Sequence, residues 1–268
     1  MNPLSYEPIF SKLAFYLNAK DLYNLVKTCK DIYQVGMLPN YKAKLYNYKL
    51  NKAVRYGDLP VIIWMHNNKY LFTTDAMDWA AANGQLEVVK WLHLNRSEGC
   101  TTHAMDLAAN KGYLEVIKWL HENRTEGCTR WAMDFASKQY GHLEVVKWLH
   151  LNRQEGCTVR AMNGAAKYGH LEIVKWLHLN RQEGCTVRAM NRAAKYGHLE
   201  VVKWLHLNRK EGCTRSAMKG AAKYGHLEVV KWLYLNLNLM SIDNIIDIAI
   251  DNKQGNIIDW LIDKKHRI

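Results

Sequence analysis

Between Thr73 and Leu235 the chain repeats one pattern of apolar and polar positions. In the copy from Thr186 to Cys213, Ala189, Met190, Ala193 and Ala194 lie at offsets 3, 4, 7 and 8 from the threonine. Those offsets form one stripe of a helix, and its alanines let a neighbouring helix approach closely. Thr186 stands before the stripe as a capping hydroxyl. Gly197 follows it, where a left-handed residue closes the last turn at little steric cost. Leu199, Val201, Val202, Trp204, Leu205 and Leu207 then spell a second helix. It reads as apolar on most sides, which predicts burial between layers. Gly212 marks the turn into the next copy.

Tryptophans time the pattern: Trp64, Trp91, Trp119, Trp148, Trp176, Trp204, Trp232 and Trp260 are spaced by 27, 28, 29, 28, 28, 28 and 28 residues. A fixed period of this size is the signature of a solenoid, in which no unit buries its apolar face alone. An insertion at Ser137-Lys138-Gln139-Tyr140-Gly141 accounts for the longer step. The array spans residues 39–268, and its terminal repeats, 39–66 and 241–268, are degenerate because one face of each meets water. In the first of them Pro60 falls in a helical first turn, where proline is tolerated. Residues 1–38 do not follow the pattern. Leu13, Leu17, Leu22, Leu25, Val26 and Ile32 fall at helical spacings there, giving two or three short helices too small to hold a core alone.

The recurring Ala-Ala-x-x-Gly-His-Leu-Glu-Val-Val-Lys-Trp-Leu core, seen from Ala193 to Leu205, resembles an ankyrin repeat. That resemblance covers roughly residues 46–268 and implies antiparallel helix pairs with a protein-binding face. Two departures stand out. The family's Thr-Pro-Leu-His tetrapeptide is replaced by forms such as Arg188-Ala189-Met190-Asn191, and the period is shorter than the usual ~33 residues. The missing residues come from the connection, here Asn208 to Cys213. The β-hairpin fingers are therefore expected to be short or absent, and the fold to be all-α.

Residues 3–36 resemble an F-box through Glu7, Ile9, Tyr16 and Leu17, then Asp21, Leu22, Leu25, Cys29, Lys30 and Tyr33. Pro3-Leu4 inverts the family's opening, and Pro8 sits inside the first helix. The resemblance implies an adaptor-binding surface of Leu4, Pro8, Ile9, Leu13, Leu17, Leu22, Leu25 and Val26. It further implies a substrate receptor that docks the Skp adaptor of a cullin–RING ubiquitin ligase. The near-identical Asn/Lys/Tyr-rich repeats also resemble the ankyrin families of giant DNA viruses of amoebae, which implies action on a host ligase. The alternatives are a scaffold with no ligase link and a nucleic-acid-associated basic solenoid.

No apolar run reaches the ~18 residues of a membrane span. The opening MNPLSYEPIF lacks a secretory pattern, so an intracellular, cytoplasmic protein is expected. Cys100, Cys128, Cys157, Cys185 and Cys213 hold one equivalent place in five repeats. Stacked helices ~8–10 Å apart do not suit a disulfide, so reduced, buried thiols are expected. One histidine ladder (His142, His170, His198, His226) is expected to cap a turn. The other (His93, His121, His150, His178, His206) is expected to decorate the outer helix. Rungs a helix diameter apart cannot converge on a metal, so no metal or other cofactor is expected. The tryptophans are assigned to the core. No nucleophile–base pair or phosphate loop is present, and no enzymatic activity is expected.

Net charge is +12, distributed as +6 over residues 1–70, −2 over 71–150, +9 over 151–240 and −1 beyond. Residues 151–240 could thus attract nucleic acid, anionic lipid or an acidic protein surface, or form a lysine-rich solvated face. Within the first helix of each repeat the copies differ most at offsets 2, 5 and 6, which share the face opposite the core stripe. Offset 2 gives Asp75, His103, Trp131, Arg160, Arg188 and Ser216. Offset 5 gives Asp78, Asp106, Asp134, Asn163, Asn191 and Lys219. Offset 6 gives Trp79, Leu107, Phe135, Gly164, Arg192 and Gly220. This face, acidic and aromatic first and basic later, is the expected partner-binding surface of a monomer.

Overall fold

The computed structural model describes residues 50–266. The F-box-like segment and its adaptor-binding residues lie outside these. The chain divides into two compact units, Met1–Cys100 and Thr101–Ile268. All regular structure among the described residues is helical, without strands, so the connections between repeats carry no β-hairpin.

In the first unit, α1 runs over residues 50–56, followed by α2 (Leu59–Asn67), α3 (Thr74–Ala82) and α4 (Leu86–Asn95). Pro60 lies in the first turn of α2, where its missing N–H costs no helical bond. Ile62 and Met65 of α2 and Val88, Val89 and Leu92 of α4 are buried with the alanines of α3.

The second unit is a succession of helix pairs. Its inner helices are α5 (Thr102–Lys111), α7 (Arg130–Ala136), α9 (Val159–Tyr168), α11 (Arg188–Lys195), α13 (Arg215–Lys223) and α15 (Ile242–Asp251). Its outer helices are α6 (Leu114–Asn123), α8 (Leu143–Asn152), α10 (Leu171–Asn180), α12 (Leu199–Asn208), α14 (Leu227–Asn236) and α16 (Gly255–His266). Each inner helix packs against the next inner helix and against its own outer helix. The expected stripe is the core: Ala189, Met190, Ala193 and Ala194 are all buried, and so are their equivalents in α5, α7, α9 and α13, whereas in the terminal α15 only Ile245 and Ala249 are. Fully burying a valine or leucine is worth ~1.5–3 kcal/mol. Each outer helix contributes only Val201, Val202 and Leu205, or their equivalents, to that core.

Two expectations about the outer helix are corrected. Leu207 is 79% exposed, as are its equivalents Leu151 and Leu179, so the helix is a surface helix with a narrow buried seam rather than a buried layer. The tryptophans are not core: Trp64 is exposed, and the others of the ladder, from Trp91 to Trp260, are half-buried. Trp204 lies edge-on against His178 of the preceding repeat, ring centroids 5.2 Å apart at 83°. The seam takes offsets that lie over the neighbouring helices, and a bulky indole fits only at its edge.

The second histidine ladder therefore joins repeats rather than decorating them. Nδ1 of His178 accepts from the Arg209 guanidinium of the next repeat at 3.3 Å. The same guanidinium grips Glu211 through a second, two-pronged contact. His150 with Arg181 and His121 with Arg153 repeat the arrangement. The first ladder stands at the N-cap positions of the outer helices without a side-chain cap bond there, and His170, His198 and His226 reach instead to carbonyls of the preceding repeat. Nε2 of His198 donates to the Lys167 carbonyl at 3.0 Å, and Nε2 of His226 to that of Lys195. Gly197, at φ +81°, both closes its helix and leaves room for His226, since a Cβ there would come within 2.6 Å of the ring.

Candidate partner-binding face

The offset-5 residues are the largest correction to the expected face. Asp78, Asp106, Asp134 and Asn163 are buried, and Asn191 is half-buried. In the second unit they look sideways to the next repeat. Thr129 donates to Asp106 from its backbone N–H at 2.8 Å and from its hydroxyl at 2.7 Å. Thr158 does the same to Asp134. Asn163 keeps the junction with Thr186, and Asn191 with Thr214, the side-chain amide now donating to the hydroxyl. Each of these threonine hydroxyls also accepts from the N–H two residues on, capping its own helix. This clasp occupies the place of the missing Thr-Pro-Leu-His motif. Offset 5 looked variable because Asp and Asn are chemically different yet both satisfy a threonine.

Burial raises the pKa of Asp106 and Asp134 above the ordinary carboxylate value, against the lowering effect of the threonine bonds. The clasp stops at the last inner pair. Lys219 holds the acceptor position, and Ile242 stands where the threonine would be. There α13 and α15 flank a cleft of about 730 Å³ lined by Arg215, Lys219, Lys223, Ser241, Asn244 and Asp247.

Offsets 2 and 6 carry the exposed surface. In the first unit Asp75 is exposed, and the half-buried Trp79 has the Arg55 guanidinium 4.1 Å above its ring. In the second unit His103 is exposed and Leu107 half-buried. Trp131 is 47% exposed and stands beside Phe135, ring centroids 5.7 Å apart. Arg160, Arg188, Arg192, Ser216 and Lys219 are all exposed. Gly164 and Gly220 are buried spacers, with Lys138 lying over the first and Lys195 against the second.

The insertion after α7 thus has a structural consequence. It places Lys138, half-buried, 4.6 Å from the centre of the Phe135 ring and over Gly164. Burial lowers the Lys138 pKa, Asp134 opposes this, and Arg160 and Arg192 lower it further. Cationic side chains from α7's end, α9 and α11 therefore share one local field.

Sequence reasoning missed Lys167, Lys195, Lys223 and Arg215 as members of the face. Because the lysine recurs in three successive copies, at 167, 195 and 223, it looked like part of the repeat rather than part of a site. The signal was present in the outer helices. Every carboxylate between 151 and 240 is ion-paired within its own repeat: Glu155 with Arg153, Glu172 with Lys175, and so on to Glu228 with Lys231. What remains unpaired is almost wholly on the inner helices.

None of Cys100, Cys128, Cys157, Cys185 and Cys213 forms a disulfide; the first four are buried, and Cys213 is half-buried, a partial departure from the expectation. Burial pushes the thiol pKa up to about 12 at Cys128 and Cys157 and to about 11 at Cys185 and Cys213. Among the described residues no group of three His, Cys, Asp or Glu side chains converges as a metal site would require. Nor is any described helix long and apolar enough to cross a membrane.

Residues 77–163, 133–211, 162–243 and 190–268 each match the family profile "Ankyrin repeats (3 copies)". No curated protein matches the chain significantly.

Proposed function

The chain belongs to the ankyrin-repeat family, and from that premise we propose that it is a protein-binding module whose inner-helix face receives the partner. The observation that carries this is Trp131. It is an exposed indole on an inner helix, beside Phe135, with exposed arginines on the inner helices that follow. Exposed aromatic residues flanked by arginine are the usual anchors of a protein interface. Asp75 and Trp79 offer a smaller surface of the same kind in the first unit.

The finer reading is a substrate receptor of a cullin–RING ubiquitin ligase. It rests on the F-box-like residues between 3 and 36, and the array would then hold a target near a ubiquitin-loaded enzyme and act by raising effective concentration. The viral resemblance extends this to a host ligase. Co-purification with the Skp adaptor, abolished by deleting residues 1–38, tests the ligase link; a full-length chain that retains no adaptor removes it and leaves the binding module. For the module itself, Trp131→Ala with Phe135→Ala should reduce recovery of cross-linked partners while leaving the thermal midpoint nearly unchanged. Unchanged recovery in a folded double variant would exclude this face.

A further inference from the structure

The positive charge of residues 151–240 is sorted by helix. Their six carboxylates are paired with six cations on the outer helices and connections. The remaining charge of +9 lies on the inner helices apart from Lys210. Arg160 and Lys167 belong to α9, Arg188, Arg192 and Lys195 to α11, and Arg215, Lys219 and Lys223 to α13. Within α11 the three cations are four and three residues apart, which is one stripe of a helix. None of these inner helices contains a carboxylate.

Building on the protein-binding reading above, we infer that α9, α11 and α13 form a docking surface for a carboxylate-rich protein segment in extended conformation. Charge complementarity names the occupant: clustered cations of one sign steer and hold a chain of the opposite sign. Four of the cations are arginines, whose planar fork pairs a carboxylate through two hydrogen bonds. Trp131 and Phe135 lie at the α7 end of this surface, so an apolar residue of the segment belongs there. At the other end Arg215, Lys219 and Lys223 of α13 line the cleft against α15, where three cations face the single carboxylate Asp247 and keep the wall facing the segment positive.

The tyrosines decide against a single-stranded nucleic acid. Tyr168, Tyr196 and Tyr224 are the aromatic groups nearest the inner-helix lysines, and bases bind such grooves by stacking on open rings. Here the rings are engaged by ammonium groups. Lys167 Nζ lies 4.4 Å from the centre of Tyr168 and 5.2 Å from that of Tyr196. Lys195 Nζ lies 5.6 Å from Tyr196 and 5.0 Å from Tyr224. The exposed rings form a column of cation–π contacts with the lysines, so a stacking base would compete with ammonium groups already seated there.

The test uses the full chain and a fluorescent peptide of alternating Glu and Ser with a Leu-Phe pair at one end. Arg188→Glu with Arg192→Glu should weaken peptide binding by about tenfold or more, since charge reversal replaces attraction by repulsion. Lys175→Glu with Lys203→Glu, the same change of net charge on the outer helices, should leave binding within about twofold. An oligothymidylate of equal charge should bind more weakly than the peptide. Absence of peptide binding, equal losses in the two double variants, or a preference for the oligothymidylate overturns the inference. Partner recovery that still depends on Trp131 would then leave the protein-binding reading standing by itself.

Discussion

Thr158 holds the carboxylate of Asp134 by two hydrogen bonds, 2.8 Å from its backbone N–H and 2.7 Å from its hydroxyl. The two residues belong to successive inner helices, so the bonds join one repeat to the next. Asp134 is fully buried, and its two oxygens find their donors across the repeat boundary. Truncation to alanine removes the acceptor and leaves the Thr158 N–H without it. Asp134→Ala should therefore lower stability by about 1–3 kcal/mol in urea denaturation. Asp134→Asn should cost much less, because Asn163 and Asn191 already perform the same task with Thr186 and Thr214. Equal losses for Ala and Asn would show that the buried charge, not the hydrogen-bonded clasp, matters.

The same carboxylates give a pH signature opposite to that of the connector glutamates. Burial raises Asp106 and Asp134, so the folded chain binds more protons than the unfolded chain between the ordinary value and the raised one. Their contribution to stability falls as pH rises through that window and is flat above it. At Glu183 burial acts upward, but the Arg181 hydrogen bond and charge outweigh it and bring the pKa to about 2. Its contribution is complete above the ordinary glutamate value and disappears as pH falls towards about 2. Thermal midpoints measured from about pH 7 down to about pH 4 should shift in favour of wild type over Asp134→Asn, while the advantage of wild type over Glu183→Gln should shrink. Parallel curves for all three proteins would contradict this assignment.

The fold was legible because it depends on periodicity. The stripe of Ala189, Met190, Ala193 and Ala194, the glycine at 197 and the half-missing connection each predicted a local structure that is present. The face was less legible because exposure depends on what the next repeat contributes. Asp134 and Trp131 both lie off the core stripe, yet one is buried and the other is 47% exposed. Thr158, twenty-four residues on, makes the difference. The indoles misled for a related reason. Hydrophobicity argued for the core, whereas the buried seam of each outer helix is narrow and Trp204 meets only the edge of His178. Charge pairing was readable but unread, since Glu172 and Lys175 are three apart on one helix.

Thiol reactivity should follow burial closely. Cys128 and Cys157 are buried with pKa values near 12, and Cys185 is buried at about 11. Cys213, also at about 11, is half-buried, and the Arg–Glu pair that the next repeat sets against Cys128, Cys157 and Cys185 is replaced there by Leu237 and Leu239. Only thiolate reacts appreciably, so at pH ~8 these groups are almost wholly protonated and slow. Among these, iodoacetamide labelling followed by peptide mass spectrometry should modify Cys213 first, with Cys128, Cys157 and Cys185 protected until denaturant is added. Fast labelling of Cys157 in the native chain would mean that the junctions between repeats open readily.

The two inner-helix glycines should respond to alanine in opposite directions. Alanine favours a helix interior over glycine by about 1 kcal/mol, so both substitutions start with the same gain. At Gly164 an added Cβ meets the Lys138 side chain, 2.6 Å from its Cγ. That flexible chain has room to swing outward, although doing so costs its contact with Phe135. At Gly220 the Cβ meets Lys195 at its own Cβ, 2.8 Å away, and at its Cα, 3.1 Å away. No rotamer change relieves a backbone contact, so α13 must move away from α11, and overpacking of this kind typically costs 1–3 kcal/mol, roughly cancelling or exceeding the helical gain. Gly164→Ala should therefore leave the thermal midpoint unchanged or raised, and Gly220→Ala should lower it. Gly220→Val, which adds bulk at the same contact, should lower it further; a midpoint unaffected by valine would mean that α11 and α13 are not in the close contact described.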